Sequence, residues 1–145
     1  MPHAAPLQVV ESLWARLQAR DWAGARALLN DDATLHWVTS GEHFDDADAI
    51  IRVNAIYPEG WTIRVIAVDA MANGDVHSIV EVTHPPQRFF ANSRFTLKAG
   101  RIRRISEHWA TFESPPDWRN AQAIGAYRRD PQAAGEPCAQ GDSLV

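Results

Sequence analysis

The segment GRIRRISEHWATF, residues 100–112, sets Glu107, His108 and Trp109 side by side. Alternating side chains make it a strand, and strict alternation cannot place both Ile102 and Ile105 in a core because their separation is odd. An extra residue between them, a β-bulge, satisfies both. With that bulge Ile105, Glu107 and Trp109 share the inner face and His108 points out. Without it Arg104, Ser106 and His108 would go in, burying an arginine and a histidine beside Phe95. The bulged reading is therefore preferred. It puts Glu107 in an apolar, tryptophan-flanked cavity, where desolvation raises a carboxyl pKa and produces a general acid or base near neutral pH. The competing reading is a structural glutamate bonded to an arginine or an indole N–H, and sequence leaves both open.

Six tryptophans stand in a chain with two tyrosines. Trp14, Trp37, Trp61 and Trp109 fall on different elements, as the walls of an aromatic pocket would; a tryptophan also brings one N–H that wants a partner when buried. Trp37 shares parity with Leu35 and is the inward candidate on its strand, which leaves His36 to the surface or an interface. Asn54 continues the apolar helix face of Ala47, Ile50 and Ile51, so it needs a partner, either a ligand or a backbone group. Tyr57, at the end of that helix, joins Trp14, Trp37, Asn54, Trp61 and Trp109 as an expected ligand-binding residue. Glu81, between Val80 and Val82, reads as an exposed or interfacial ion pair.

The elements that position these residues follow from periodicity. From Pro6, Val10, Leu13, Trp14 and Leu17 recur at helical spacing, giving a helix to about Arg20. Asp21 caps a short second helix carrying Ala25, Leu28 and Leu29, which Asn30-Asp31-Asp32 stops. Residues 34–38 form a strand ended by a turn at 40–44. Asp45 or Asp46 caps a third helix that must finish near Tyr57, because Pro58 disfavours helix in the residue before it. The period then becomes two: strands at 61–70, 76–84, 88–97 and 101–112, with turns at Asn73-Gly74 and Ala99-Gly100. Three helices followed by an antiparallel meander is an α+β layout in which the helices cover one face of a sheet.

Composition excludes several classes of function. The 145 residues carry 14 basic and 18 acidic side chains, a formal charge of −4, which offers no footprint for nucleic acid or an anionic membrane. The basic run 98–104 reads as a solvated hairpin tip. One cysteine, Cys138, permits no intrachain disulfide and no cysteine zinc cluster, and the histidines show no closely spaced pair, so no metal or cofactor is expected. No signal sequence or membrane-length apolar run is present, which fits a soluble, cytoplasmic protein. Residues 1–119 are expected to form one domain, and 120–145, rich in Ala, Gly, Pro and Gln, a loosely docked or disordered tail.

The ordered set ARDWAGARALLNDDATLHW, YPEGW, GRIRRISEHW and PPDWR resembles the SnoaL-like branch of the nuclear transport factor 2-like superfamily over roughly residues 7–119. The resemblance implies a cone of curved antiparallel sheet wrapped around three helices, an apolar cavity, and homodimers through the outer sheet face. It extends to cyclases, isomerases, dehydratases, epoxide hydrolases and non-enzymes, so it selects no activity. Polyketide cyclases of this type have an acidic residue shortly after the last-strand Trp, where this chain has Ala110 and Thr111; its nearest carboxylate is Glu113. Trp14 stands where a ketosteroid isomerase would have its helix-one tyrosine. The expectation is a protein that binds a small apolar molecule, with an acid/base enzyme on a carbonyl or polyketide-like substrate as the alternative. Strand parity adds an outer patch of Ile66, Val68, Val80 and Val82 for a twofold dimer; the competing arrangement folds Trp118 and Ile124 of the tail back over it.

Overall fold

The computed structural model describes residues 4–130. Helix α1 (Ala4–Gln18) buries Val10, Leu13, Trp14 and Leu17, the stripe its spacing dictates. It stops two residues before Arg20, whose positive φ of 61° turns the chain away. Asp21 caps α2 (Trp22–Arg26), its carboxylate accepting the Gly24 N–H at 2.9 Å. The expectation that this helix would carry Leu28 and Leu29 is overturned, because strand pairing claims them. The Ile102 N–H donates to the Leu28 carbonyl at 2.9 Å, and Leu29 opens strand β1 (Leu29–Trp37) fully buried opposite Ile102. Asn30, Asp31 and Asp32 lie within that strand, the two aspartates directed to water.

The expected turn at 40–44 is also corrected. Glu42–Phe44 is a short strand, β2, folding back on β1 with Phe44 opposite Leu35. Asp46 caps α3 (Ala47–Ile56) by accepting the Ala49 N–H at 2.8 Å, and the helix ends before Pro58. Strands β3 (Thr62–Ala70), β4 (Val76–His84), β5 (Gln87–Lys98) and β6 (Arg101–Thr111) form the meander. Ala99 and Gly100 both take positive φ (54° and 80°), as a two-residue hairpin loop requires.

The six strands make one curved, unclosed sheet in the order β2-β1-β6-β5-β4-β3. The α+β class with a sheet around N-terminal helices holds; the sheet is mixed, however, since β1 and β6 pair in parallel. These two are separated in the chain by β2, α3 and strands β3 to β5, and pair in the folded sheet without a hairpin joining them.

Two bulges set which side chains face that concavity. In β6, Thr96 lies opposite Arg104 but Leu97 opposite Ile102, so Arg103 is the extra residue and both isoleucines are buried, as their odd separation demands. In β3, Val65 lies opposite Val80 but Ala67 opposite Ile79, making Ile66 the extra residue. The outer patch expected from uninterrupted alternation does not form: the bulge accounts for Val68, and Val80 and Val82 pair with Val65 and Ile63 on the inner face. Val68 turns inward to pack on the core, Val80 and Val82 are buried core residues, and Ile66 alone of the four is exposed.

The outer face instead carries an ion network. Glu81 is buried rather than exposed, with Arg64 at 2.9 Å and Arg88 at 3.1 Å. The Arg88 guanidinium also lies over Phe112, whose N–H donates to the Arg88 carbonyl at 2.8 Å. Beyond it, Trp118 and Ile124, the latter on the four-residue α4 (Ala121–Ile124), are exposed and do not cover the sheet. Residues 131–145 of the expected tail, with Cys138, lie outside the described residues.

Candidate functional site

Rows of inward side chains cross the sheet and decide where it is filled. Phe95 and Ile105 face each other in one row and close the base, where Trp14 meets Phe95 edge-on at 6.2 Å. The next row toward the open end is small or polar: Ser78 on β4, Ser93 on β5, Glu107 on β6 and Trp37 on β1 are register partners in turn. Beyond it Val80, Ala91 and Trp109 form a third row. Between the concave sheet and the helices α1 and α3 a space remains, lined by Trp14 and Ile50 from the helices and by Trp37, Ile63, Glu107 and Trp109 from the strands. The result is a cavity of about 600 Å³, within the range of small-molecule sites.

The cavity brings together the seven residues expected at a site: Trp14, Trp37, Asn54, Tyr57, Trp61, Trp109 and Glu107 all contribute to its wall. Their individual roles differ. Trp14 donates its indole N–H to the buried Ser78 hydroxyl at 3.0 Å, so its polar edge is already satisfied. Asn54 donates to the Ile50 carbonyl one turn back at 2.9 Å, which supplies the partner its position demanded. Tyr57 and exposed Ile56 and Pro58 lie at the mouth, with Ser40 and Glu42 across from α3.

Glu107 is 6% exposed, and both its oxygens accept hydrogen bonds. The Ser93 hydroxyl donates to Oε2 at 2.8 Å and the Trp37 indole N–H to Oε1 at 2.9 Å. The Trp109 N–H is close enough to favour the anion, although it completes no hydrogen bond of good geometry. Burial outweighs these donors and raises the carboxyl above its ordinary range. No cationic group contributes to that balance. Both readings of Glu107 thus have a structural counterpart: it is bonded to an indole N–H, and it faces the cavity.

The loop after α3 is held from two sides. Arg20 places its guanidinium 3.3 Å from the centre of the Trp61 ring and donates to the Trp61 carbonyl and to both Glu59 oxygens. On the other side His84 Nε2 lies 3.0 Å from the Pro58 carbonyl, and its ring stacks on Tyr57. His36, by contrast, faces the other side of the sheet and stacks on His43 at 4.0 Å.

Sequence reasoning passed over Ser93, Ser78 and Arg20. The first two had a signal: Ser93 shares parity with Phe89 and Phe95, and Ser78 with Val76 and Val80, so each is a polar residue on an apolar strand face. Arg20 had none, since its partners lie 39 and 41 residues away. Among the described residues no group of three or more His, Cys, Asp or Glu could hold a metal ion, and no helix is long and apolar enough to cross a membrane.

No protein-family model and no curated protein sequence matches this chain. Solved structures match it in fold. A candidate ketosteroid isomerase from Kribbella flavida superposes with a TM-score of 0.76 at 19% identity, covering 88% of this chain and 91% of its own. A nuclear transport factor 2-like protein of unknown function from Burkholderia xenovorans gives 0.74 at 15% identity, over 86% and 96%. An LEH-like epoxide hydrolase from M. tuberculosis gives 0.64 at 17% identity, over 74% and 80%. The chain therefore has the nuclear transport factor 2-like fold.

Proposed function

We propose that this chain, as a SnoaL-like member of that fold group, binds a small and mostly apolar molecule in the cavity, with Glu107 meeting its polar group. The observation that carries this reading is the contrast within the cavity wall. Indole, phenyl and aliphatic surfaces surround one buried carboxyl whose position is fixed by Ser93 and Trp37. Apolar contact supplies affinity of roughly 25 cal/mol per Å² removed from water, and a single fixed polar group supplies orientation. A ligand screen followed by tryptophan fluorescence tests it: saturable quenching or enhancement is expected, and a chain that answers to no small apolar compound would refute the reading.

The raised Glu107 carboxyl favours a second reading, an acid/base enzyme. With one such group inside the cavity, the reaction it supports is a proton taken from carbon beside a carbonyl and returned elsewhere on the same molecule. Product analysis of the binding hits separates the two. Under the enzyme reading Glu107→Gln abolishes turnover and keeps the fluorescence response; equal loss of both points to a structural role for Glu107. The homodimer implied by the resemblance would form through an outer face on which Ile66 is exposed and the Glu81 network is central, and sedimentation of the full-length protein tests it.

A further inference from the structure

The carboxyl groups on the cavity wall are two, Glu107 inside and Glu42 at the rim, and no Lys, Arg or His joins them among the described residues. The groups aimed at Glu107 are donors. An indole N–H can only donate, so Trp37 always presents a hydrogen to Oε1, and the Ser93 hydroxyl presents one to Oε2. Such donors favour the carboxylate over the neutral acid. An ionised carboxylate buried in an apolar space needs a counter-charge, and the described residues supply none. Of about four lone-pair sites on a carboxylate, these two bonds occupy two.

The aromatic rings complete the pattern. Trp37 and Trp109 stand perpendicular with centroids 6.2 Å apart, and Phe89 meets Trp109 edge-on at 6.2 Å. The Trp37 N–H edge is spent on the carboxyl, so Trp37 offers a ligand its ring face, while the Trp61 and Trp109 N–H groups are buried without a partner. Ring faces attract cations.

We propose that the cavity's ligand is a lipophilic amine, bound as its ammonium ion against ionised Glu107 with its apolar body among the tryptophans. This rests on the small-molecule-binding reading and narrows it to one charge class. The ammonium provides the missing counter-charge and donors for the unused lone pairs. A neutral ligand leaves the charge uncompensated, and an anionic one meets repulsion from Glu42 and Glu107 together. Where the empty site holds Glu107 as the acid, binding moves its proton to solvent: R–NH3⁺ plus Glu107–COOH gives the ion pair and one H⁺.

The test uses the full chain and three compounds of one shape, phenylbutylamine, phenylbutanol and phenylbutyrate, with fluorescence titration and calorimetry in buffers of different ionisation heat. The amine is expected to bind at least about tenfold more tightly than the alcohol, a difference of about 1.4 kcal/mol, and the acid more weakly than either. Amine affinity should rise with pH by up to about tenfold per unit while the free protein still holds the Glu107 proton, with matching proton release. In Glu107→Gln the amine should lose its advantage while the alcohol still binds. An alcohol that binds as well as the amine, or an amine preference that survives Glu107→Gln, overturns the charge assignment and leaves the cavity reading standing. Failure of all three compounds overturns both. Should Glu107→Gln not fold, the wild-type protein decides: an amine that binds no more tightly than the alcohol at any pH overturns the ion pair.

Discussion

Ser93→Ala isolates the energetics of the buried carboxyl. Ser93 is fully buried and its hydroxyl donates to Glu107 Oε2 at 2.8 Å, so the substitution removes that bond and little else. A hydrogen bond to a charged acceptor contributes about 1.5–3 kcal/mol and one between neutral groups about 0.5–1.5. The variant should therefore lose about 2 kcal/mol where Glu107 is ionised and about 1 kcal/mol where it is protonated. The sign follows from linkage. Burial raises the folded carboxyl above its unfolded value, so its contribution is fully present below the unfolded pKa and is lost as pH rises through the folded one. Removing a donor that favours the anion steepens that loss, and the cost of Ser93→Ala grows with pH. Urea unfolding of both proteins at two pH values, one acid and one alkaline, measures the difference. In a Glu107→Gln background the pH dependence of the cost should vanish. A cost equal at both pH values, or larger in acid, would refute the assignment of Ser93 to the ionised carboxyl.

Trp14→Phe keeps a ring against Phe95 but deletes the bond to Ser78, leaving a buried hydroxyl short of a partner; a loss of about 1–3 kcal/mol is expected in chemical unfolding, and unchanged stability would show that water replaces the indole. Arg20→Ala frees the Trp61 ring and carbonyl, so stability should fall by about 1–2 kcal/mol. Ligand affinity should fall with it while the Glu107-dependent pH profile stays in place; an altered profile would mean that Arg20 acts on the carboxyl. Arg88→Met leaves buried Glu81 with the half-exposed Arg64 as its remaining ion-pair partner, at a cost of roughly 3 kcal/mol; a loss below about 1 kcal/mol would place Glu81 in contact with water in solution.

The sequence by itself determined the local facts about this protein. Periodicity placed α1, α3 and the four meander strands, since a helix or strand face is written in residues a few positions apart. Asp21 and Asp46 announced their helices because capping is a contact across three residues. The odd separation of Ile102 and Ile105 even demanded the bulge that turns Glu107 inward, because two isoleucines on one strand must both leave water. The same parity rule failed on β3, where a bulge at Ile66 moved Val68 to the inner face. No residue there conflicts with plain alternation, so nothing in the strand reveals the slip; it is chosen by pairing with β4. Leu28 and Leu29 fit a helix as well as a strand, and only Ile102, more than seventy residues away, decided for the strand. Tertiary structure also settled what surrounds Glu107. The donors Ser93 and Trp37 arrive from neighbouring strands, β1 lying parallel to β6 through a pairing that no hairpin announces. The absence of a cation from the described cavity wall is a property of the assembled surface, because the chain's arginines become harmless to that carboxyl only once the sheet has turned them outward.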